Sequence, residues 1–307
     1  MLPTYGRPAF LERAVESVLR QSFRNLELIV VDDNEEDSVA RAETQTVIAK
    51  FEGPRLRYLK QPHNRGAPAA RNCGIAAARG DLVTFLDDDD EYYQQKVERQ
   101  VRQIEHGAYD VSLCGCHFTS RHWYKRRRRL MPAGLALKEF VLYGNALTPM
   151  IMIKKSLAQS VGGFDDVKRF QDHFFMFKVH EAGAAVGLIL EPLYRYHDHA
   201  CDRVSLAHDG ATATRLKHER ENGYLNLLNH RETTWLRFRQ TYTLLEGGAS
   251  RDEVVSRPED DKVSHWSVLL KHSTTPKRCL MTVRLAVKMM ARRVSRNFAA
   301  RSRSFFF

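Results

Sequence analysis

The sequence predicts an α/β protein built on a doubly wound, mostly parallel sheet flanked by helices, with a helical C-terminal extension. Three observations carry this expectation. Short apolar runs alternate with segments of helical spacing through residues 1 to 115. Two of the runs, Leu26 to Val31 (LELIVV) and Leu82 to Leu86 (LVTFL), are continuous and not alternating, the mark of strands buried on both faces. Both end in acids, Asp32-Asp33 and Asp87 to Asp90, and open α/β sheets bind ligands beyond the carboxyl ends of their strands.

Taken in order, Pro8 opens a helix to Arg20, with Phe10, Leu11, Ala14, Val15, Val18 and Leu19 on one face. LELIVV follows as a strand, Ser38 to Phe51 as a helix and Leu56 to Leu59 as a strand. The Ala-rich segment Ala67 to Arg79 reads as a helix that can approach the sheet closely, and LVTFL as the next strand. Glu91 to His106 reads as a polar helix and Tyr109 to Leu113 as a strand. Further on, Thr148 to Ile153 and Val186 to Leu190 read as strands, and Phe170 to Glu181 as a helix stopped by Gly183. Beyond His208 the chain is polar and helical, with a loop near Gly247 to Asp261.

The 307 residues suit one catalytic domain and an extension. At 43% hydrophobic and 28% charged, the chain can bury a core. The net charge is +11, and residues 277 to 307 hold nine Lys or Arg and no acid, so the body is nearly balanced. A charge gathered in one tail argues against a nucleic-acid-binding domain. Five cysteines without a CxxC pair point to reduced thiols in the cytoplasm. The N-terminus shows no basic start and apolar run, and no stretch reaches the ~20 apolar residues of a membrane span. The expectation is a soluble or peripheral protein.

Four clusters carry candidate chemistry. In FLDDDDEYY (Phe85 to Tyr93), four adjacent carboxylates repel one another and are best tolerated beside a cation or in water. Asp87 and Asp89 are spaced to reach one hard cation, whose shell substrate phosphates often complete. The plainer reading is an acidic turn capping the next helix. Of Asp32-Asp33, one can accept a hydrogen bond from a base or ribose, or serve as a turn or cap. Arg71, in the small-residue helix, can hold a carboxylate or phosphate, or be a surface arginine. Asp172, in QDHFF after GGFD (Gly162 to Asp165), is a candidate general base, or an acid favoured by a helix dipole.

The order and spacing of these pieces resemble glycosyltransferase family 2, with its GT-A fold. The matching pieces are PTYGRP (Pro3 to Pro8), LELIVVDD, NRGAPAARNCGI, GDLVTFLDDDDEYY, GGFD, QDHFF and EPLYRYH (Glu191 to His197). The resemblance implies an inverting transfer from a nucleotide-diphospho-sugar, usually UDP-linked, to a hydroxyl of a glycan or lipid-linked acceptor, with Mn2+ or Mg2+ as cofactor. It implies that Pro3, Thr4, Tyr5 and Arg7 lie near the nucleotide, that Asp33 binds base or ribose, and that Arg71 supports the pocket. Asp89 is expected on the metal with Asp87, with Asp87 or Asp88 on the ribose side, and Asp172 as the base. His197 or His199 is expected at the diphosphate, or in a structural role. The implied organisation is a catalytic domain over 1–205 (donor half about 1–115, acceptor half about 116–205), a helical extension over 206–275 and a basic tail over 276–307.

The chain departs from the family at its start. Only Met1 and Leu2 precede Pro3, so the central first strand reads as truncated, which raises the alternative of an inactive homologue that only binds nucleotide or a partner. Gly6 stands where the family usually has Asn. From Leu280 the tail sets apolar residues at three- and four-residue steps opposite Arg284, Lys288, Arg292 and Arg296. That pattern suits a helix over 277–303 lying on an anionic membrane surface, or an ordinary packed helix. The run Lys125 to Arg129 (KRRRR) reads as an exposed loop or a contact to an anionic acceptor or headgroup.

Overall fold

The computed structural model describes residues 1–51, 53–119, 128–197 and 210–246. The chain divides into two units, Met1–Asp202 and Arg203–Phe307. His199, Lys125 to Arg127, Cys201, Cys279, the loop 247–261 and the basic tail lie outside the described residues.

The first unit begins with a parallel sheet. Strands β1 (Leu2–Thr4), β2 (Leu28–Asp32) and β3 (Leu56–Lys60) pair in the order β1-β2-β3. Between them run helices α1 (Pro8–Leu19) and α2 (Val39–Ala49), the latter capped by Ser38 accepting from the Arg41 amide. The run LELIVV behaves as a strand buried on both faces. Leu28 and Val30 enter one core with Leu11, Ala14, Val15 and Ile48, while Ile29 and Val31 enter another with Ala70.

The first strand is short, as the sequence implies, yet present. Leu2 is fully buried, worth about 1.5–3 kcal/mol for a side chain of its size. Beyond the β1–β2 pairing, the Met1 amine donates to Thr84 O (2.7 Å) and Met1 O accepts from the Leu86 amide (3.0 Å). These two bonds tie the chain start to the end of β4 (Leu82–Thr84) and the residues after it, linking the three-stranded parallel sheet to the second sheet. Helix α3 (Gly66–Ala77) packs there because Gly74 has no Cβ to meet the Met1 side chain.

The second part of this unit mixes directions. Its strands are β4, β5 (Glu91–Tyr92), β6 (Val111–Thr119), β7 (Arg128–Leu130), β8 (Ile151–Lys154) and β9 (Val186–His197), ordered β4-β8-β6-β9-β5 with β7 on β6. Only β6 and β9 run parallel; the other pairs are antiparallel. The parallel expectation therefore describes the first half. Helices α4 (Lys96–Gly107), α5 (Leu137–Tyr143), α6 (Lys155–Ser160) and α7 (Gln171–Glu181) complete the unit. Two segments correct the sequence expectation. Glu91 and Tyr92 are strand residues facing Arg195 and Tyr194, so α4 starts at Lys96 and not at Glu91. Strand β9 continues past Leu190 to His197, with an irregularity in the β6 register between Cys114 and Cys116.

In the second unit, α8 (Gly210–Asn222) and α9 (His230–Glu246) are tied by buried polar contacts. The buried Glu221 carboxylate forms an ion pair with Arg239 (2.6 Å) and accepts from Gln240 Nε2 (3.0 Å). Among the described residues no helix is long and apolar enough to cross a membrane.

Candidate active site

The acidic turn follows β4, and each of its four aspartates has a defined partner. Its backbone closes with the Asp90 amide on Asp87 O (3.1 Å). Arg7, on the loop after β1, forks across two carboxylates. Nη2 donates to Asp88 Oδ1 at 2.5 Å and Nη1 to Asp89 Oδ2 at 2.9 Å. Thr4 Oγ1 donates to the second Asp88 oxygen at 2.9 Å. Arg13, one turn into α1, donates to the Asp89 carbonyl (2.7 Å). Asp90 accepts from the His197 amide at the end of β9 (3.0 Å). Asp87 accepts from Arg71 Nη2 at 2.7 Å. Four adjacent carboxylates are thus held by two guanidinium groups and by the Thr4 and His197 donors from distant parts of the chain.

Exposure divides the turn. The Asp88 side chain is 1% exposed and the Asp87 side chain 31%. Burial pushes the Asp88 carboxyl up to about 7; Arg7 opposes the rise, and Asp89 adds to it. By exposure Asp87 is the member open to a ligand, while Asp89, whose side chain is 10% exposed, lies under Arg7 and Asp88 anchors the turn to Thr4 and Arg7.

The loop Tyr5 to Arg7 is shaped by Gly6, whose φ of 66° lies in the left-handed region. Glycine and asparagine both accept that conformation, which accounts for Gly6 where the family has Asn. The Gly6 amide donates to Asn34 Oδ1 (2.7 Å), fixing the loop to the end of β2. Pro3 pairs with Val31 inside the sheet, and Tyr5 stands half exposed.

Asp32 and Asp33 take separate roles. Asp32 is fully buried and accepts from the Asn34 amide (2.9 Å), Asn34 Nδ2 (2.7 Å) and the Tyr58 hydroxyl, beside Arg41. Asp33 accepts from the Arg65 and Gly66 amides, each at 2.8 Å, and so caps the start of α3. Burial holds its carboxyl above the ordinary range, despite those two amides.

Across the site, Asp172 lies in the first turn of α7. Its Oδ1 accepts from the His173 amide at 2.8 Å and stands 3.4 Å from His173 Nδ1. Burial pushes this carboxyl up, but the His173 contacts and the charge of Arg71 outweigh it and hold it below the ordinary range. An ionised carboxylate at neutral pH can accept a proton. Arg71 links the two sides: besides Asp87, it donates through Nη1 to Gln171 Oε1 at 2.5 Å. The next residue, Asn72, exchanges two 2.8 Å bonds with the Phe164 backbone. Glycines 162 and 163, both at positive φ, turn the chain there. His197 keeps Nε2 3.4 Å from Glu91, and burial lowers its pKa, with Arg13 adding to the effect.

The structure brings Thr4, Arg7, Arg71 and Asp87 to Asp89 into one cluster, with Asp172 joined through Gln171 and Arg71. Asp33 sits apart as a cap, and His197 at the far end of the turn. Sequence reasoning gave no role to Arg13, Asn34, Arg41, Tyr58 and Gln171, and placed Asn72 only as the neighbour of Arg71. Only Gln171 carried a signal, its place beside Asp172.

The family model described as "Glycosyl transferase family 2" matches residues 1–174, which include every candidate except His197 and His199. An uncharacterized glycosyltransferase of Rickettsia prowazekii is 27% identical over 252 residues, covering 79% of this chain and 71% of that protein. A GalNAc(5)-diNAcBac-PP-undecaprenol beta-1,3-glucosyltransferase of Campylobacter jejuni is 34% identical over 114 residues, 36% of this chain and 35% of that protein. Other matches span 60% of a Haemophilus influenzae glycosyltransferase and 18% of one from Rickettsia felis. Among solved structures, S. aureus TarS 1–349 in complex with UDP-GlcNAc superposes with a TM-score of 0.60 at 20% identity, over 90% of this chain and 81% of that one. The Pyrobaculum calidifontis mannosyltransferase in complex with GDP-Man and Mn2+ gives 0.57 at 15% identity, over 93% and 82%. The α/β fold is shared with these structures, and the chain belongs to glycosyl transferase family 2 and is a glycosyltransferase.

Proposed function

We propose that this glycosyltransferase moves a sugar from a nucleotide-diphospho-sugar, UDP-linked, to a hydroxyl of a glycan or lipid-linked acceptor, with inversion. The observation that carries the reading is the span of Arg71, whose guanidinium joins Asp87 of the acidic turn to the helix start bearing Asp172. Donor diphosphate and acceptor hydroxyl would meet between these two carboxylate sites.

Asp172, ionised and hydrogen-bonded to His173, is the base that takes the acceptor proton as its oxygen attacks the anomeric carbon. Pro3, Thr4, Tyr5, Arg7 and Asp33 face the nucleotide in this reading, Asp33 through lone pairs beyond its two amide contacts. Among the described residues no group of three or more His, Cys, Asp or Glu forms a metal cage. The donor set nevertheless fits a hard cation that uses few protein ligands: the oxygens of Asp89 and Asp87. Mn2+ or Mg2+ held there would neutralise charge on the departing diphosphate. Arg7 already neutralises Asp89, so it shares or yields that oxygen on metal binding. His197 is assigned to the diphosphate side as a neutral donor, consistent with its lowered pKa. The donor class draws on TarS, solved with UDP-GlcNAc, and the acceptor class on the undecaprenol-linked name of the Campylobacter relative. The charge of residues 277–303 suits attachment to the cytoplasmic face of an anionic membrane.

The test is release of nucleoside diphosphate from a panel of UDP-sugars with Mn2+ or Mg2+ and an envelope extract as acceptor source. One donor is expected to turn over. Asp172→Asn should lower turnover by about 10²–10⁴-fold, and Asp89→Ala should remove the metal dependence. Full turnover by Asp172→Asn would reject the base assignment, and no turnover of any donor would reject the donor class.

A further inference from the structure

We infer that Gln171 is a positioning residue, which sets the proposed base Asp172 by giving Arg71 an oxygen acceptor. The inference rests on the reading of Asp172 given above. It starts from the way α7 begins. Phe170, the residue before the helix, has φ 59°, a left-handed conformation uncommon for a large side chain, and its own side chain supplies no cap bond to the helix. Gln171, the first residue of the helix, contributes two side-chain contacts to this turn. Its Nε2 donates to Val167 O (3.0 Å), which fixes the sense of the amide, and its Oε1 then accepts from Arg71 Nη1.

Arg71 is itself immobilised. Its other Nη is on Asp87, and its guanidinium lies over the Phe164 ring, 5.4 Å from the centroid. Phe164 is in turn fixed to Asn72, the neighbour of Arg71 on α3. The guanidinium is a rigid fork, so holding it at one prong and one face leaves the second prong aimed at a defined point. Gln171 occupies that point and seats the first turn of α7, with Asp172 in it.

Loss of the Gln171 oxygen frees the α7 start, whereas the donor side keeps Asp87 on Arg71. The expected signature is a fall in kcat with little change in donor KM. The experiment compares unmodified chain, Gln171→Leu and Gln171→Glu with the donor that the preceding panel identifies, adding Asp172→Asn as a control. Gln171→Leu should lower kcat about tenfold or more with donor KM within about threefold, since small misplacements of a catalytic group cost that much. Gln171→Glu restores an oxygen to Arg71 and should bring kcat back to within about threefold of the unmodified chain, showing that the acceptor and not bulk packing is what counts. The inference is overturned if Gln171→Leu keeps normal kcat, or if both variants lose kcat equally. If Asp172→Asn itself stays active, or no donor turns over, the underlying reading fails and this one with it; if Asp172→Asn is inactive while the Gln171 variants are normal, only the present inference fails.

Discussion

The acidic turn and the start of α7 are both carboxylate sites, built in opposite ways. At the turn, the cations come from far along the chain: Arg7 lies 81 and 82 residues from Asp88 and Asp89. At α7, the main partner of Asp172 is its own neighbour, His173. The turn can therefore exist only once β1, β4 and α1 are assembled, while the Asp172–His173 pair forms within one helical turn. The electrostatic outcome differs accordingly. Burial wins at Asp88 and raises its pKa to about 7, whereas at Asp172 the neighbouring donors win and lower it. One site has a member that resists ionisation and serves as anchor; the other is kept ionised and open to a proton.

The sharpest way to break the first arrangement is Arg7→Met. It removes the guanidinium from two carboxylates, one of them 1% exposed, and leaves Thr4 as the remaining side-chain donor named for Asp88. Removing one partner of a buried pair costs about 3 kcal/mol. The expected result is a large drop in unfolding midpoint, partly relieved by adding Asp88→Asn, because the double variant strands no charge at Asp88 and leaves only the Asp89 pairing lost. A drop that Asp88→Asn leaves unrelieved would show that Arg7 acts through something other than Asp88.

The second arrangement is local in its pairing but leans on α3 for its setting, and Gly163→Ala tests that dependence. Gly163 has φ 65°, and a Cβ there would run into Asn72 Oδ1, which holds the Phe164 amide. A left-handed backbone forced on alanine, with a displaced hydrogen bond, costs about 2 kcal/mol. The variant should melt lower and lose turnover, while Gly162→Ala, at φ 77° but with open space around its Cβ, should lose less. Equal losses would mean that backbone strain alone matters and that the Asn72 contact does not.

The same contrast explains what was legible in the sequence. LELIVV and LVTFL announced strands because apolar continuity is a local property, and the acids after them supplied the candidate site residues. The residues that neutralise those acids were not legible. Nothing in the sequence around Arg13 or Arg41 shows that they will face Asp89 and Asp32, since the pairing is created by the sheet. Strand β5 was read as helix for the same reason. Glu91 and Tyr92 have no strand signature of their own, and β9 gives them their conformation across more than 100 residues. The family motifs delivered the candidate carboxylates. Asp33 as the cap of α3, and not of the helix that follows it in sequence, again needed the assembled fold.

The smallest expected effect sharpens the comparison further along α7. His180 is a buried ionisable group with neither kind of support. Its Nε2 has no hydrogen-bond partner, its ring packs on Phe140 at 5.0 Å, and burial pushes its pKa down to about 4, with Glu139 pulling weakly the other way. The folded chain therefore refuses a proton that the unfolded chain, with its histidine near 6.5, accepts. Between about pH 6.5 and pH 4 the unfolded state binds more protons, so stability falls as pH drops through that window. His180→Phe removes the titration and the unpartnered nitrogen while keeping the ring. Its effect at pH 7.5 should be small, within about 1 kcal/mol. At pH 5 the variant should gain on the unmodified chain, visible as a larger urea midpoint difference than at pH 7.5. An identical difference at both pH values would mean that His180 titrates normally in the folded protein, and that burial at this point of α7 is less complete than at Asp88.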